Sequence, residues 1–334
     1  MFCNFLKKGG IFVVGGVVQG TVREAAPKRE RMFVHWINFI KEKKLKAFAS
    51  IVIAPSCRVG YNSLVLSAGL GALNPNIVVV PFATLSDEES ELSDSKSDLA
   101  DLDLMQLQGS SDFVGLIADI TQVKRNVVVA ANFTNQLDTT YLFKTSVAQT
   151  VDIWLPEELT INCMADLEGT PLLMLALAHV LKRKGSSMSL KLFRVVGRHH
   201  PRSVDEELEL ITELVKRQAR FRIGKHGSQI KVLCSSDALP LDKGASVTSP
   251  EEQAALSRRR LNQLMSQHSS EGALVVLPLP ALPAEFTGDE SISEREFESV
   301  SQQYVLRIKE LVQGVKPCLL VHFAGYQKIM SLSL

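Results

Sequence analysis

The chain has 334 residues, of which 46% are apolar and 22% are charged, as in an ordinary globular protein. Its 37 Lys and Arg residues nearly balance 36 Asp and Glu residues, so charge gives no reason to expect a nucleic-acid partner. The five cysteines form no zinc-type spacing, and no apolar run reaches the roughly 18 to 20 residues of a membrane span, so we expect reduced thiols and a cytosolic chain.

Short apolar runs alternate with amphipathic segments, which predicts βα units and largely parallel sheets. The predicted strands are Ile11–Val18, Ala47–Ile53, Ile77–Phe82, Asn126–Ala131, Val151–Trp154, Ser189–Val196, Gln229–Cys234, Ala273–Leu277 and Cys318–His322. The predicted helices are Glu30–Glu42, a segment running into Gly69, Ser111–Val123, Thr170–Lys184, Val204–Arg220, Ser249–Gln267 and Glu294–Gln313. The last of these helices fits either core packing or a dimer face.

Two polar segments interrupt the alternation. Residues 84–110 are rich in Ser, Asp and Glu without any aromatic residue, which predicts an acidic, solvated loop. A second polar linker spans residues 235–247. The strand-and-helix units before Thr150 are similar in number and order to those after it. The sequence therefore predicts an α/β fold of two stacked lobes, residues 1–150 and 151–334.

The segment Ser67–Phe82, SAGLGALNPNIVVVPF, connects a helix end to a strand start. Glycine at Gly69 relieves the strain of a left-handed helix end, and Pro75 biases Asn74 away from helix. Gly69-x-Gly71 also suggests a nucleotide loop, but the dinucleotide fingerprint runs from a strand into a helix, which is the opposite direction. A structural role is therefore favoured, and contact with the phosphates of ATP or ADP is the alternative.

Other candidate sites are weak. No hydrolase elbow, zinc-protease, P-loop or kinase motif occurs, so we expect no enzyme and no catalytic or metal residue. His199-His200 would need further ligands to hold a metal, and Cys57 beside Arg58 is either a low-pKa thiol or, as we favour, a packed one. Ser86 and Ser95 each have an acid three residues later, which suits an acidophilic kinase; a merely solubilising loop is the alternative.

Five segments resemble, in order, the cytosolic C-terminal domain of the cation–chloride cotransporters, solute carrier family 12. They are LKKGGIFVVGGVVQG, KAFASIVIAPSCRVG, GLGALNPNIVVVPF, DFVGLIADITQVKRNVVVAANF, and VDIWLP with the later LLMLALAHVLKRKGSSMSLKLFRVV. The resemblance assigns a structural role to the family-motif residues Gly9, Gly10, Gly15, Gly69, Gly71, Asn74, Pro75 and Asn76. The motifs LKKGG, IAPS and LLVH are most similar to the branch of the ninth member.

The resemblance implies a regulatory domain that dimerises and biases a transport domain, in a multi-pass membrane protein that carries chloride with potassium or sodium. The implied partners are a second copy or another family member, the membrane domain of the transporter, and a regulatory kinase. Because Met1 lies just before LKKGG, we expect an N-terminally truncated piece without the membrane domain or the first strand. The alternative function is a soluble nucleotide-binding α/β protein similar to universal stress proteins.

Overall fold

The computed structural model describes residues 11–69, 74–82, 109–133, 150–157, 169–184, 189–197, 200–218, 229–235, 249–270, 272, 274–286 and 293–325. Within these ranges there are nine strands and seven α-helices. The strands are β1 (Val13–Gln19), β2 (Phe48–Ala54), β3 (Ile77–Pro81), β4 (Asn126–Ala131), β5 (Thr150–Pro156), β6 (Ser189–Val196), β7 (Gln229–Cys234), β8 (Leu274–Pro278) and β9 (Cys318–His322). The helices are α1 (Val22–Glu42), α2 (Cys57–Ser67), α3 (Gly109–Gln122), α4 (Thr170–Lys184), α5 (Val204–Gln218), α6 (Pro250–His268) and α7 (Glu294–Val312).

The predicted α/β class with parallel strands is confirmed, and each predicted strand is present within two residues at either end. Helix α1 differs most, because it begins at Val22 rather than at the predicted Glu30. The reason is Pro27, which lies inside the helix. Proline lacks a backbone N–H and normally restricts a helix to the residues after it, so the sequence favoured a later start.

The chain divides into two compact units. One contains the residues up to Val127 together with Leu282–Gln303, and the other contains Val128–Ala281 together with Tyr304–Gly325. The predicted lobe boundary near Thr150 stays a prediction.

The first unit holds a parallel pair of strands, β1 and β2, in which Val13 lies opposite Phe48 and Gln19 opposite Ala54. Helix α1 packs on this pair through a small core of Val18, Ala25, Met32 and Ile51. Helix α2 approaches β1 closely at Gly60, where an added Cβ would lie 2.4 Å from a methyl carbon of Val17. The glycine therefore sets how near this helix lies to the strand.

In the second unit, the described strands of the larger sheet follow the order β4-β9-β8-β5-β6-β7. Strand β5 is buried along its whole length and pairs in parallel with β6 and with β8. After β5 the chain adds β6 and β7 on one side and then β8 and β9 on the other. Sheets of this kind bind ligands beyond the carboxyl ends of strands, close to where the order reverses.

Two aromatic rings, one from β5 and one from β6, stack on each other in the core. The indole of Trp154 stacks on the ring of Phe193, with 4.4 Å between ring centroids, and its N–H donates to the Ser269 hydroxyl at 3.0 Å. The buried indole thus has a partner for its polar group, as the interior of a protein requires. Among the helices of the described ranges, none is long and apolar enough to cross a membrane.

Candidate functional site

The carboxyl edge of β5 and β6 in the second unit carries a buried ion pair between Arg194 and Glu207. Their side chains are 3% and 1% exposed, and Arg194 Nε donates to Glu207 Oε1 at 3.0 Å. Arg194 Nη1 also donates to the carbonyl oxygen of Leu155 at 3.1 Å. Burying two charges is costly unless hydrogen bonds replace the lost water, and these contacts supply them.

His200 joins this pair to the end of β5. Its Nδ1 lies 2.7 Å from Glu157 Oε1, and its Nε2 lies 3.2 Å from Glu207 Oε2. Glu157 Oε2 also accepts from the backbone N–H of Gly197 at 2.6 Å. Both ring nitrogens therefore face carboxylate oxygens, so the ring connects Glu157 at the end of β5 with Glu207 of α5. Arg202 Nη1 also donates to Glu207 Oε2, at 3.3 Å. We call Glu157, Arg194, His200, Arg202 and Glu207 the Glu207 network.

Electrostatics keep both carboxylates of this network ionised. Burial alone would raise the pKa of Glu207, but hydrogen bonding and attraction from Arg194, with help from His200, outweigh it and lower that pKa. For Glu157, burial is likewise outweighed by the Gly197 N–H and by His200, so its pKa is also lowered. The network is thus a set of charges paired with one another, which can hold the ends of β5 and β6 and the start of α5 in position.

A cleft lies next to the network, beyond the carboxyl ends of β5, β6 and β7. Its volume is about 480 Å³ when the space open to solvent is included. Its apolar wall includes Pro156, Val195, Leu261 and Leu264.

The polar groups of this cleft come from the strand ends and from α6. They include Glu157 of the network, the hydroxyl residues Ser235 and Ser257, and Arg258. The Arg258 side chain is 16% exposed, and its Nε donates to Glu310 Oε2 at 2.8 Å. An apolar cleft with a few convergent polar groups is the usual form of a small-molecule site.

Asp152 in the middle of the sheet is a buried acid with unsatisfied oxygens. It is 0% exposed, and in the described residues neither carboxylate oxygen has a hydrogen-bond partner. Burial raises the pKa of Asp152; the nearby Ser269 and Thr150 hydroxyls and the Lys191 ammonium only partly counteract this effect. Gly272 makes room for the acid, because an added Cβ there would lie 2.6 Å from Asp152 Oδ2.

In the first unit, Arg58 connects α2 to α3. Its Nε and Nη2 donate to the two oxygens of Asp119 at 2.7 and 2.8 Å, and Asn62 Nδ2 donates to the same carboxylate at 2.6 Å. The hydrogen bond to Asp119 raises the pKa of Arg58. Cys57 is buried with 2% exposure, and it forms no disulfide in the described part of the chain. The Arg58 guanidinium, which follows Cys57 in the sequence, is paired with Asp119.

The family-motif residues that the structure describes occupy turns and strands. Gly69 has φ +111° just after α2 ends, a conformation that favours glycine. Asn74 and Pro75 lead into β3, the Asn76 carbonyl accepts from the Asn126 N–H at 3.0 Å, and Gly15 lies within β1. Gly9, Gly10, Gly71, His199 and the candidate phosphorylation sites Ser86 and Ser95 lie outside the described residues. The structural role of the motif and the two phosphorylation sites stay predictions.

Sequence reasoning missed the charges that organise both units. Arg194 and Asp152 each interrupt an otherwise apolar strand, in LFRVV and VDIWLP, and a charge within a continuous apolar run was the available signal. The partnership of Arg58 with Asp119 had no comparable signal, because the two residues are 61 positions apart.

Comparisons with known proteins identify the class of protein to which this chain is related. The family model described as Solute carrier family 12 matches residues 1–93. Solute carrier family 12 member 9 from Danio rerio is 27% identical over 96% of the chain, and the Xenopus laevis protein of that name is 26% identical over 96%. The predicted resemblance is confirmed: the chain is similar to solute carrier family 12 member 9 proteins over nearly all its length, and the family model matches its first 93 residues. Its full-length similarity to member 9 agrees with the branch that the motifs favoured.

Two further matches set the limits of the comparison. The chain spans 37% and 38% of the length of the two member 9 proteins. Vacuolar cation-chloride cotransporter 1 from Saccharomyces cerevisiae is 31% identical over 29% of this chain and 9% of its own length. A putative universal stress protein from Pseudomonas aeruginosa aligns with 93% of this chain and 82% of its own, at TM-score 0.40 and 8% identity.

Proposed function

We propose that this chain is a regulatory and dimerisation domain of a cation–chloride cotransporter-like membrane protein, placed in the cytosol and not itself a transporter. The observation that carries the proposal is the match to member 9 of solute carrier family 12, which extends over 96% of this chain and only 37% of the Danio rerio relative. In such a protein the remaining length would supply the ion pathway. This chain would regulate the ion pathway by binding its different conformational states with different free energies.

The chemistry of the described residues supports a scaffold rather than a catalyst. The charged groups within the Glu207 network form ion pairs with each other, and Arg58 forms an ion pair with Asp119. Such pairs fix helix and strand ends in place, which is what a domain that transmits a conformational signal requires. They supply no activated nucleophile or acid–base pair poised for proton transfer.

Exposed apolar side chains of the first unit support a binding surface. Five of the eight large apolar residues exposed in the described ranges lie between Val22 and Leu66. They are Val22, Val34, Phe48, Val59 and Leu66. Single exposed apolar residues are common, but their concentration in one part of a chain suits a surface that is covered in an assembly. We propose that the cover is a second copy of this chain.

A chimera tests the regulatory role. This chain replaces the matching segment of the Danio rerio relative, and chloride-dependent rubidium uptake and surface amount are measured in cells. We expect no uptake from the chain alone, and uptake by the chimera that differs from that of a deletion lacking the segment. Uptake by the chain alone, or a chimera that behaves like the deletion, would contradict the proposal.

The dimer is tested separately by sedimentation of the 334-residue chain. We expect Phe48→Glu, at a side chain 64% exposed in β2, to shift the dimer towards monomer, because a charge would be buried at the contact. Leu306→Glu, at an exposed position outside this group, is the matched control and should not change the mass. A wild-type monomer at all concentrations, or equal effects of both substitutions, would argue against this surface.

A further inference from the structure

We propose that the cleft beyond the carboxyl ends of β5, β6 and β7 binds a small organic anion with an apolar body. The anionic group would contact Arg258, Ser235 and Ser257, and the body would lie on the apolar wall that includes Val195 and Leu261. This inference is independent of the proposed regulatory role, because it depends only on contacts within the second unit.

In the described part of the chain, the unused hydrogen-bonding groups of the cleft are a guanidinium, which only donates, and two hydroxyls, which can donate. Within the described residues, Arg258 makes one side-chain hydrogen bond, from Nε to Glu310, so its two terminal nitrogens have no partner there. The hydroxyls of Ser235 and Ser257 also have none in that part of the chain. By contrast, both oxygens of Glu157 already accept, from His200 and from Gly197. Donors without a partner among the described residues, beside acceptors that are already used, favour a ligand that accepts, and an anion accepts most strongly.

The carboxylate that partners Arg258 is shared with a second arginine. Glu310 contacts two arginines, Arg258 at 2.8 Å and Arg259 at 3.5 Å, so one carboxylate faces two guanidinium groups. The Arg258 side chain is held in place by this contact while it is only 16% exposed. A guanidinium that is already positioned loses little conformational freedom on binding and can present its planar edge to a carboxylate or phosphate.

The apolar wall determines the second part of the ligand. Pro156, Val195, Leu261 and Leu264 line the same space as the donors, and the volume of about 480 Å³ includes the open mouth. An inorganic anion alone would leave this wall in water, whereas an attached apolar body would cover it.

The experiment uses 1-anilinonaphthalene-8-sulfonate as the probe, because it combines an anionic group with an apolar body and fluoresces when shielded from water. The full 334-residue chain is titrated with the probe, and octanoate, 1-octanol and inorganic phosphate are then added as competitors. We expect one saturable site from which octanoate displaces the probe and from which octanol and phosphate, at equal concentration, do not.

Arg258→Gln should weaken probe binding about tenfold or more, since it removes a charged donor. Arg259→Gln is the matched control, because Arg259 contacts the same Glu310, is 63% exposed and does not line the cleft; it should leave affinity within about twofold. If Arg258→Gln proves unstable, the double variant Ser235→Ala/Ser257→Ala, which leaves the Arg258–Glu310 pair intact, should still weaken binding about fivefold. Equal binding by these variants, or displacement by octanol as efficient as by octanoate, would overturn the inference.

Discussion

At the scale of single residues, Gly115 fixes the position of a charged group by having no side chain. It lies in the middle of α3 directly against the Arg58 guanidinium, and an added Cβ would lie 2.5 Å from both Cζ and Nη1. A guanidinium at the end of a flexible chain could normally move aside. Here it donates two hydrogen bonds to Asp119, so movement would break the contact between α2 and α3.

Gly115→Ala should therefore destabilise the wild-type chain by about 1 to 2 kcal/mol, the value of one charged hydrogen bond partly offset by the better helix propensity of alanine. In an Arg58→Ala background the same substitution should instead stabilise by up to about 1 kcal/mol, because only the propensity gain remains. Chemical denaturation of the four chains in this cycle measures both values. A loss of the same size in both backgrounds would show that the guanidinium is not the cause.

Asp152 makes the core sensitive to pH. Its pKa is raised above the ordinary 3.8 by burial, so the folded chain favours the protonated acid. Stability from this group is therefore present at low pH and falls as the pH rises through the folded pKa. Asp152→Asn should stabilise the chain at pH 7 by about 1 kcal/mol, since no buried charge must form, and should change little near pH 3. A variant that is less stable than wild type at pH 7 would contradict this account.

Glu207 should show the opposite dependence. Its lowered pKa means that its contribution is complete above the ordinary value of 4.5 and is lost as the pH falls through the folded pKa. Glu207→Gln should cost about 3 kcal/mol at pH 7, because it leaves Arg194 buried without its counter-charge. Denaturation curves of the variant and wild type should converge in acid. A constant difference from pH 7 down to pH 3 would exclude the ion pair as the origin.

At the scale of elements, serine residues begin four of the helices. The Ser249 and Glu252 side chains each bond the other residue's backbone N–H at the start of α6, and Ser203 with Glu206 forms the same reciprocal box at α5. Ser56 accepts from Val59 N–H at α2, and the hydroxyl of Ser293 accepts from the backbone of Glu296 at α7. Each hydroxyl satisfies a backbone donor that a helix start would otherwise leave free.

Ser203→Ala should destabilise the second unit by about 1 kcal/mol, because one orphaned N–H of α5 loses its acceptor. Ser63→Ala is a suitable control: its hydroxyl donates to the Val59 carbonyl within α2, where alanine is the better helix former, so little loss is expected. Thermal unfolding measures the stability of both variants, and an equal loss of stability in the two would rule out capping as the reason.

These elements also show how much the sequence could predict. Strand positions were predictable because continuous apolar runs are short and bounded, and the cap of α6 was visible as Ser249-Pro250-Glu251-Glu252. The contact of Arg58 with Asp119 and the joining of Glu157 to Glu207 by His200 depend on the spatial order of elements, which local patterns do not contain. The cleft could not be predicted for the same reason: its lining comes from three strand ends and two helices.

At the scale of the whole molecule, the first unit is built from separate parts of the chain. Phe297 of α7 lies 5.8 Å from the Arg58 guanidinium, and the Ser111 hydroxyl of α3 donates to Glu298 of α7. Both α7 residues belong to Leu282–Gln303, which groups with the first unit. A fragment ending at residue 150 would lose these contacts, although the predicted lobe boundary lies there.

We therefore expect a fragment of residues 1–150 to be cleaved faster by protease than the same region in the full chain. Residues 282–303 attached through a flexible linker should restore most of the protection, because they return the contacts to Arg58 and Ser111. Protection of the short fragment equal to that of the full chain would instead support two lobes that separate at Thr150.

The hydrogen bonds of the helix-starting serines also determine how readily a kinase can use their hydroxyls. A serine with an acid three residues later is the pattern that marks Ser86 and Ser95 as kinase sites, and Ser203, Ser249 and Ser293 have it too. In these three the hydroxyl accepts a hydrogen bond from the N–H of that third residue. A kinase acting on one of them would first have to unwind a helix start. Phosphopeptide surveys of this chain should therefore find much less phosphorylation at Ser203, Ser249 and Ser293 than at Ser86 and Ser95, which have the same sequence pattern.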